Sequence, residues 1–334
     1  MSNLKIGVLG GGSWGTTVAS LVTRNAPVTL WARNQQTVHE INTRHSNETY
    51  LPGATLPPKL TATNDIAEVV SGADVVIMGV PSQNFRAVLE EVAPHIRPWV
   101  PVISLTKGLE LDTRMRMTQI INEVLPGHPV GVLTGPNLAR EIMSGQAAAS
   151  VIAMEDEIIV RELQKVFNSG LFRCYTNTDV IGCELGGVLK NIIAIAVGMG
   201  DGQGAGDNTR SALITRGLAE ITRLGVAMGG RPETFAGLAG MGDMIATCTS
   251  PQSRNRYVGM ELGKGRDMAD IVAEMVMVAE GAKSAPAVMA LAEKYGVEMP
   301  IASDVYRVLS GDATASRAFR GLLRVSAGAE CEPG

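Results

Sequence analysis

The segment Gly10-Gly11-Gly12-Ser13-Trp14-Gly15 constrains this chain more than any other. Before it runs Leu4-Lys5-Ile6-Gly7-Val8-Leu9, an apolar stretch that reads as a buried strand. After it runs Thr16-Thr17-Val18-Ala19-Ser20-Leu21-Val22, which reads as the opening of a helix. Strand, G-x-G-x-x-G and helix in that order form the fingerprint of a dinucleotide-binding turn. Gly10 makes the tight turn, Gly12 lets the backbone approach a pyrophosphate, and Gly15 lets helix and strand pack closely. Amides at the helix N-terminus then hold the phosphates. Glycines also gather in ordinary turns, so it is the flanking strand and helix that favour the dinucleotide.

At 334 residues the chain is long for one core, and two domains are expected. The first half alternates strand and helix patterns. Short, mostly β-branched runs at Ile6–Leu9, Val28–Trp31, Val75–Gly79, Val102–Leu105, Val130–Leu133 and Ala149–Ala153 read as parallel strands covered on both faces. Leu171–Tyr175 is a further candidate, and helical patterns at Gln83–Ala93 and Met115–Val124 lie between strands. Repeated β-α units imply a doubly wound, Rossmann-type parallel sheet. From about Val180 helical periodicity takes over, at Glu184–Met199, Ser211–Met228, Asp267–Met277, Ala285–Tyr295 and Ala302–Leu309. The expected fold is α/β, with a dinucleotide-binding domain over residues 1–180 and a mainly α-helical substrate domain over 181–328. The crevice between them is the expected meeting point of substrate and cofactor. Residues 329–334 read as a disordered tail.

Composition narrows the partners. A net charge of −4 gives no general attraction to nucleic acid or to an acidic membrane, and a 4% aromatic share argues against base-stacking platforms. Four widely spaced cysteines without a C-x-x-C suit reduced thiols in a cytoplasm. No cleavable apolar signal is read at the N-terminus. The most apolar long window, Leu185 to Met199, holds Lys190 and Asn191 and reads as too short to insert in a membrane.

The end of the second strand reports on the cofactor. NAD-selective sites usually place Asp or Glu there to hold the ribose 2′-hydroxyl. Here the strand closes as Trp31-Ala32-Arg33-Asn34, and no carboxylate follows until Glu40. A guanidinium pairs with a 2′-phosphate by a forked hydrogen bond, so Arg33 favours NADPH over NADH. A surface arginine that merely ends a strand would look the same.

Candidate chemistry lies mostly in the second half. His39, His45, His95 and His128 stand outside any catalytic-looking setting, and no metal-ligand spacing is present. Lys190 is the only charged residue from Gly186 to Met199. A buried lysine costs several kcal/mol unless paired, and burial brings its pKa toward proton-transfer range. A lysine snorkelling along apolar surface is the plainer alternative. Asn191 beside it could donate to a substrate oxygen. Asp243 is the only charge between Glu233 and Arg254; it is the natural partner of Lys190, or else a helix N-cap. Ser253-Arg254-Asn255-Arg256 offers hydroxyl, guanidinium and amide in succession for a phosphate. Lys107, Gly135-Pro136-Asn137 and Val80-Pro81-Ser82 each follow a strand end, where open α/β sheets bind ligands.

With these residues in hand, the chain resembles the bacterial NAD(P)-dependent glycerol-3-phosphate dehydrogenases. The resemblance runs over nearly the whole chain. It rests on Gly10–Thr16, Thr106-Lys107-Gly108-Leu109-Glu110, Thr134-Gly135-Pro136, Gly186–Asn191, Asn208–Gly217, Gly240-Met241-Gly242-Asp243, Gln252–Arg256 and Val278-Ala279-Glu280-Gly281. It implies reversible reduction of dihydroxyacetone phosphate to sn-glycerol 3-phosphate, for phospholipid synthesis, by a cytoplasmic homodimer. Ser13, Trp14, Arg33, Lys107, Ala139, Arg254, Val278 and Glu280 would contact NADPH. Lys190 would be the proton donor and acceptor. Lys107, Gly135, Asn137, Asp243, Thr247, Ser253, Arg254 and Asn255 would surround the glycerol phosphate. Asn137 stands where the family usually has Ser or Thr, and an amide can replace a hydroxyl as donor. The nearest rival is a β-hydroxyacid or 6-phosphogluconate-type dehydrogenase, which reads a substrate carboxylate instead. A non-catalytic NADPH sensor and a helical oligomerisation protein are the alternatives outside that chemistry.

Overall fold

The computed structural model describes residues 4–275 and 279–322, with side chains through Ala318. The expected tail at 329–334 and the site candidate Val278 lie outside the described residues. The chain divides into two compact units. One comprises the described residues up to Lys107 together with Met115–Val180; the other comprises Gly108–Arg114 and the described residues from Ile181 onward.

The first unit runs β1 (Ile6–Leu9), α1 (Ser13–Val22), β2 (Val28–Trp31), α2 (Gln35–Arg44), β3 (Thr61–Thr63), α3 (Ile66–Val70), β4 (Val75–Met78) and α4 (Ser82–Val92). It continues with β5 (Val102–Ser104), α5 (Met117–Val124), β6 (Val130–Thr134), α6 (Ala139–Met143), β7 (Ala148–Met154), α7 (Glu157–Phe167) and β8 (Phe172–Asn177). The strands form one eight-stranded sheet in the order β3-β2-β1-β4-β5-β6-β7-β8. Side chains alternate between two cores. Ile6, Val8, Val75, Ile77 and Ile103 join one cluster with α1 and α7; Leu9, Val76, Met78 and Val102 join the other with α3, α4 and α5. Burial on both faces is why these strands read as continuous apolar runs.

The doubly wound Rossmann-type architecture is the one expected, with one refinement. β1 to β6 pair in parallel, but β7 runs antiparallel to β6 with Gly131 opposite Met154, and β8 follows parallel to β7. The only helix between β6 and β7 is α6, five residues long. A helix of that length spans about 7–8 Å, too little to carry the chain back along the sheet for another parallel strand. β3 is a three-residue strand, Thr-Ala-Thr, without an apolar run. Nothing in its pattern announced it.

The second unit holds α8 (Val180–Gly202), α9 (Asp207–Ala227), α10 (Pro232–Phe235), a π-turn (Leu238–Gly242), α11 (Asp243–Thr249) and α12 (Arg254–Gly263). After these come α13 (Met268–Ala273), α14 (Glu280–Tyr295), α15 (Pro300–Leu309) and α16 (Ala315–Leu322). α8 is the axis of this unit's core. At 23 residues it exceeds the window read from sequence and is long and apolar enough to cross a membrane, but 94% of its most apolar stretch is buried inside the fold. Leu185, Val188, Leu189, Ile192, Ile193 and Ile195 line it, and Leu109 from the Gly108–Arg114 segment packs into the same core. α8 and α12 meet backbone to backbone. A Cβ on Gly259 would lie 2.0 Å from the Ile195 carbonyl oxygen, and one on Gly263 would lie 2.5 Å from that of Met199.

One buried carboxylate ties this unit's stability to pH. Glu220 of α9 is 2% exposed and accepts hydrogen bonds from the amides of Ile301 (2.7 Å) and Ala302 (3.2 Å) in the first turn of α15. Burial pushes its pKa up to about 7, against the opposing pull of those two amides and of Arg223 and Arg216. The unfolded carboxyl titrates near 4.5, so between 4.5 and about 7 the native state holds a proton that the unfolded chain has lost. Stability from this group is therefore greatest below pH 4.5 and declines as pH rises through that window. The parent should lose about 2–3 kcal/mol from this source between the two limits. Glu220→Gln should remove that part of the decline, read as the difference between parent and variant in urea unfolding at pH 5 and pH 8.

Candidate active site

In the sheet unit, the fingerprint residues sit where strand order reverses. β2 lies on one side of β1 and β4 on the other. Gly10 leaves β1 at φ 128°, a conformation that favours glycine, and its amide donates to the Trp31 carbonyl. A Cβ on Gly15 would lie 2.0 Å from the Gly10 carbonyl oxygen, so helix and turn are in direct backbone contact. Gly12 differs. A Cβ there would meet nothing within 4 Å. The fold itself does not demand a glycine at Gly12, whereas a pyrophosphate approaching the backbone does. Gly12 precedes α1, whose start has no side-chain cap and no acidic residue in its first turn. The Trp14 Nε1–H in that turn is buried without an acceptor among the described residues. An uncapped helix start, an open glycine and an unmatched indole donor fit a dinucleotide.

Arg33 follows β2 and is exposed. Asn34 next to it caps α2, accepting from the Gln36 amide at 2.8 Å. Glu40, the first carboxylate after the strand, is buried and accepts from the Gln36 side chain (3.3 Å) and the Glu48 amide (3.2 Å). Its oxygens are committed to its own segment and leave Arg33 as the charge at the strand end.

Further along the same edge, Lys107 follows β5 and Gly135 follows β6. The Lys107 ammonium donates to the Gly135 carbonyl at 2.8 Å. Gly135 has φ 126°, and a Cβ there would lie 3.2 Å from the Ser150 Cα. The Asn137 amide donates to the Ser150 hydroxyl (3.2 Å), which donates to the Thr134 carbonyl (2.6 Å). The Asn137 Oδ1 is buried without a donor among the described residues. Thr106 donates to the Val80 carbonyl at 2.6 Å, tying the loops after β5 and β4 together. Ala139 opens α6, which packs on α1.

In the helical unit, Lys190 and Asp243 meet. The ammonium lies 2.9 Å from the Asp243 carboxylate, and the two side chains are 6% and 2% exposed. Lys190 is therefore buried along its length, which removes the snorkelling alternative. Asp243 is the first residue of α11, after the N-cap Gly242, so it is not itself the cap residue, and its carboxylate meets the lysine. Thr247, one turn on, accepts from Lys190 and donates to Asp243 at 3.3 Å. Close approach makes this possible. A Cβ on Gly186 of α8 would lie 2.6 Å from the Ala239 carbonyl oxygen in the π-turn that leads into Asp243. The neighbouring Cys248 thiol is pushed up to about 12 by burial and is inert as a nucleophile at neutral pH.

The polar run 253–256 opens α12. The Ser253 hydroxyl caps the helix, accepting from the Arg256 amide at 3.2 Å. Asn255 is buried and donates to Asn191 Oδ1 (3.0 Å) while accepting from the Gly281 amide (3.0 Å). Asn191 and Asn255 are thus one hydrogen-bonded pair across α8 and α12. Arg256 turns away to Asp201 at 2.6 Å. Arg254 is exposed; protein atoms nonetheless crowd its guanidinium and lower its proton affinity, an effect that Glu280 opposes. A guanidinium stays cationic under such a shift. Thr247 had no signal in the isolated residue reading. Its i, i+4 spacing from Asp243 is the pattern that could have marked it.

The sequence matches two family models: residues 5–160 match the NAD-dependent glycerol-3-phosphate dehydrogenase N-terminus, and residues 179–320 match the C-terminus of the same family. A glycerol-3-phosphate dehydrogenase [NAD(P)+] of Sphingopyxis alaskensis is 72% identical over 99% of both chains. One from Mycobacterium avium is 53% identical over 97% of this chain and 95% of its own. The crystal structure of the Coxiella burnetii glycerol-3-phosphate dehydrogenase superposes with a TM-score of 0.92 at 37% identity, covering 97% of this chain and 99% of that one. The chain belongs to the NAD-dependent glycerol-3-phosphate dehydrogenase family. The matches do not favour the hydroxyacid or 6-phosphogluconate alternative.

The Lys190–Asp243 pair has a thermodynamic signature. Either Lys190→Met or Asp243→Leu strands a buried charge and should cost about 3–5 kcal/mol. The double variant should cost clearly less than the sum of the two, because it leaves no orphan. Denaturant unfolding of the four proteins measures the coupling; simple additivity would mean that the pair is not energetically linked.

Proposed function

We propose that this chain reduces dihydroxyacetone phosphate to sn-glycerol 3-phosphate, reversibly, with NADPH preferred over NADH. Family membership supports the reaction, and the buried Lys190–Asp243–Thr247 cluster carries the mechanism. The nicotinamide, when bound, supplies a hydride for the carbonyl carbon. As the carbon gains that hydride, the carbonyl oxygen gains an electron pair and needs a proton, which Lys190 donates. Lys190 leaves this step as a neutral amine and recovers its proton from solvent; in the oxidative direction it accepts the proton instead. Asp243 orients the ammonium and favours its charged form, and Thr247 fixes the rotamer from a second side. Lys107, anchored on the Gly135 carbonyl, adds positive charge for the developing alkoxide.

The phosphate end of the substrate is assigned to α12. Arg254 supplies the charge, the Asn255 amide is held rigid by Asn191 and Gly281, and Ser253 stands at the helix start. Binding energy from this non-reacting end then positions the carbonyl. Gly135 and Asn137 are further substrate contacts in this reading. Ser13, Trp14, Arg33, Ala139 and Glu280 are assigned to the cofactor with the three fingerprint glycines. Arg33 carries the NADPH preference, since Glu40 is committed elsewhere. The same reading takes the enzyme to be a cytoplasmic homodimer that supplies phospholipid synthesis.

Dihydroxyacetone phosphate reduction, followed by loss of nicotinamide absorbance with NADPH and NADH in parallel, tests the reaction. Lys190→Ala should lower kcat by about a hundredfold or more while NADPH affinity stays within a few-fold. Turnover within a few-fold of the parent would remove Lys190 as the acid. Arg33→Asp should weaken NADPH far more than NADH; equal losses would remove the 2′-phosphate role.

A further inference from the structure

Asn47 lies on the segment between α2 and β3, outside the fingerprint, and is 0% exposed. Its side-chain nitrogen donates to the Gly11 carbonyl at 2.9 Å and lies 3.0 Å from the Thr16 hydroxyl oxygen. The orientation of the amide is fixed by chemistry. The Gly11 oxygen can only accept, so the nitrogen must face it. Asn47 is held in turn by its own backbone, whose carbonyl accepts from the amides of Tyr50 (3.2 Å) and Leu51 (2.8 Å). Its Oδ1 is buried without a partner among the described residues. A fully buried amide left half satisfied costs stability, about 1–3 kcal/mol for the unmatched acceptor. It is placed at the carbonyl of the Gly11–Gly12 peptide.

The peptide plane explains what that placement does. The Gly11 carbonyl and the Gly12 N–H belong to one rigid trans unit and point in opposite directions. The two torsions flanking this unit belong to glycines, so the unit can flip at little steric cost. Fixing the carbonyl toward Asn47 directs the Gly12 N–H to the opposite side. Gly12 is also the position where a side chain would meet open space, at the uncapped start of α1. The contact with Thr16, in the second turn of α1, ties the same amide to the helix whose N-terminus would receive the phosphates.

We infer that Asn47 is a positioning residue for the cofactor. It locks the Gly11–Gly12 peptide in the orientation that presents the Gly12 amide to the pyrophosphate of the dinucleotide. The inference rests on the cofactor reading above. The Arg33 end of the site does not depend on this peptide, so the lock acts on ligands that carry a pyrophosphate and not on the 2′-phosphate alone.

Asn47→Leu, of similar shape without a donor, and Asn47→Ala test it in the full chain. Binding of NADPH and NADH is measured by nicotinamide fluorescence, and binding of adenosine 2′-monophosphate, which lacks the pyrophosphate, by displacement. Both variants should weaken NADPH and NADH alike, by about tenfold or more, and adenosine 2′-monophosphate by less than about twofold. Thr16→Val removes the other partner of the amide but keeps the Gly11 bond, and should weaken NADPH less than either. This variant and the thermal midpoints keep the test valid if Asn47→Ala folds poorly. Equal weakening of all three ligands would mark a general loosening and overturn the inference, as would unchanged NADPH affinity. A parent chain that binds neither dinucleotide would overturn the cofactor reading itself, and this inference with it.

Discussion

An ammonium and a carboxylate buried together at 2.9 Å set the terms for the helical unit. Neither charge survives in that setting alone, since an isolated buried ion costs several kcal/mol. The fold must therefore bring α11 to α8 and hold it there. Gly186 removes the side chain that would keep the π-turn away, and Thr247 closes the remaining side of the pair. α12 is held against the same helix by a second close approach, at Gly259 and Gly263. The two approaches hold the proton-transfer candidate of α8 beside the phosphate candidates of α12, with Asn191 bonded to Asn255 next to Lys190.

The sheet unit solves a different problem with the same residue type. Its glycines at Gly10 and Gly15 are required by the chain's own backbone, whereas a side chain at Gly12 would meet only open space, the room that the proposed pyrophosphate would use. That difference separates a turn that merely packs from one that binds. Asn47 adds a constraint on top, by holding the Gly11 carbonyl of a peptide flanked on both sides by glycine torsions.

Much of this was legible in the chain. β1, β2, β4, β5, β6 and β7 were read within a residue or two because strands buried on both faces are continuous β-branched runs. Lys190 and Asp243 stood out because each is the only charge in a long apolar stretch, and such charges need partners. What was missed lacked a pattern of its own. β3 is three residues with two threonines, and its place comes from pairing with β2. The antiparallel turn of β7 depends on how short α6 is, and its strand sequence looks like any parallel one. α2 carries mostly polar residues and is held by Val38 and Ile41 against the sheet. Asn47 has no motif, since its role exists only once α2 and the following segment fold back over the glycine loop.

The segment Gly108–Arg114 has a consequence for the protein as an object to be divided. It emerges from the sheet unit after Lys107, yet it belongs to the helical unit, where Leu109 is 0% exposed among Leu185, Val188 and their neighbours. A cut near Val180 would thus sever one hydrophobic core while appearing to spare both. The C-terminal piece would carry a vacancy the size of a leucine, worth about 2–5 kcal/mol. The N-terminal piece would present the same leucine to water. The two halves of this sequence are physically one folding problem, joined by seven residues borrowed from one half to complete the other.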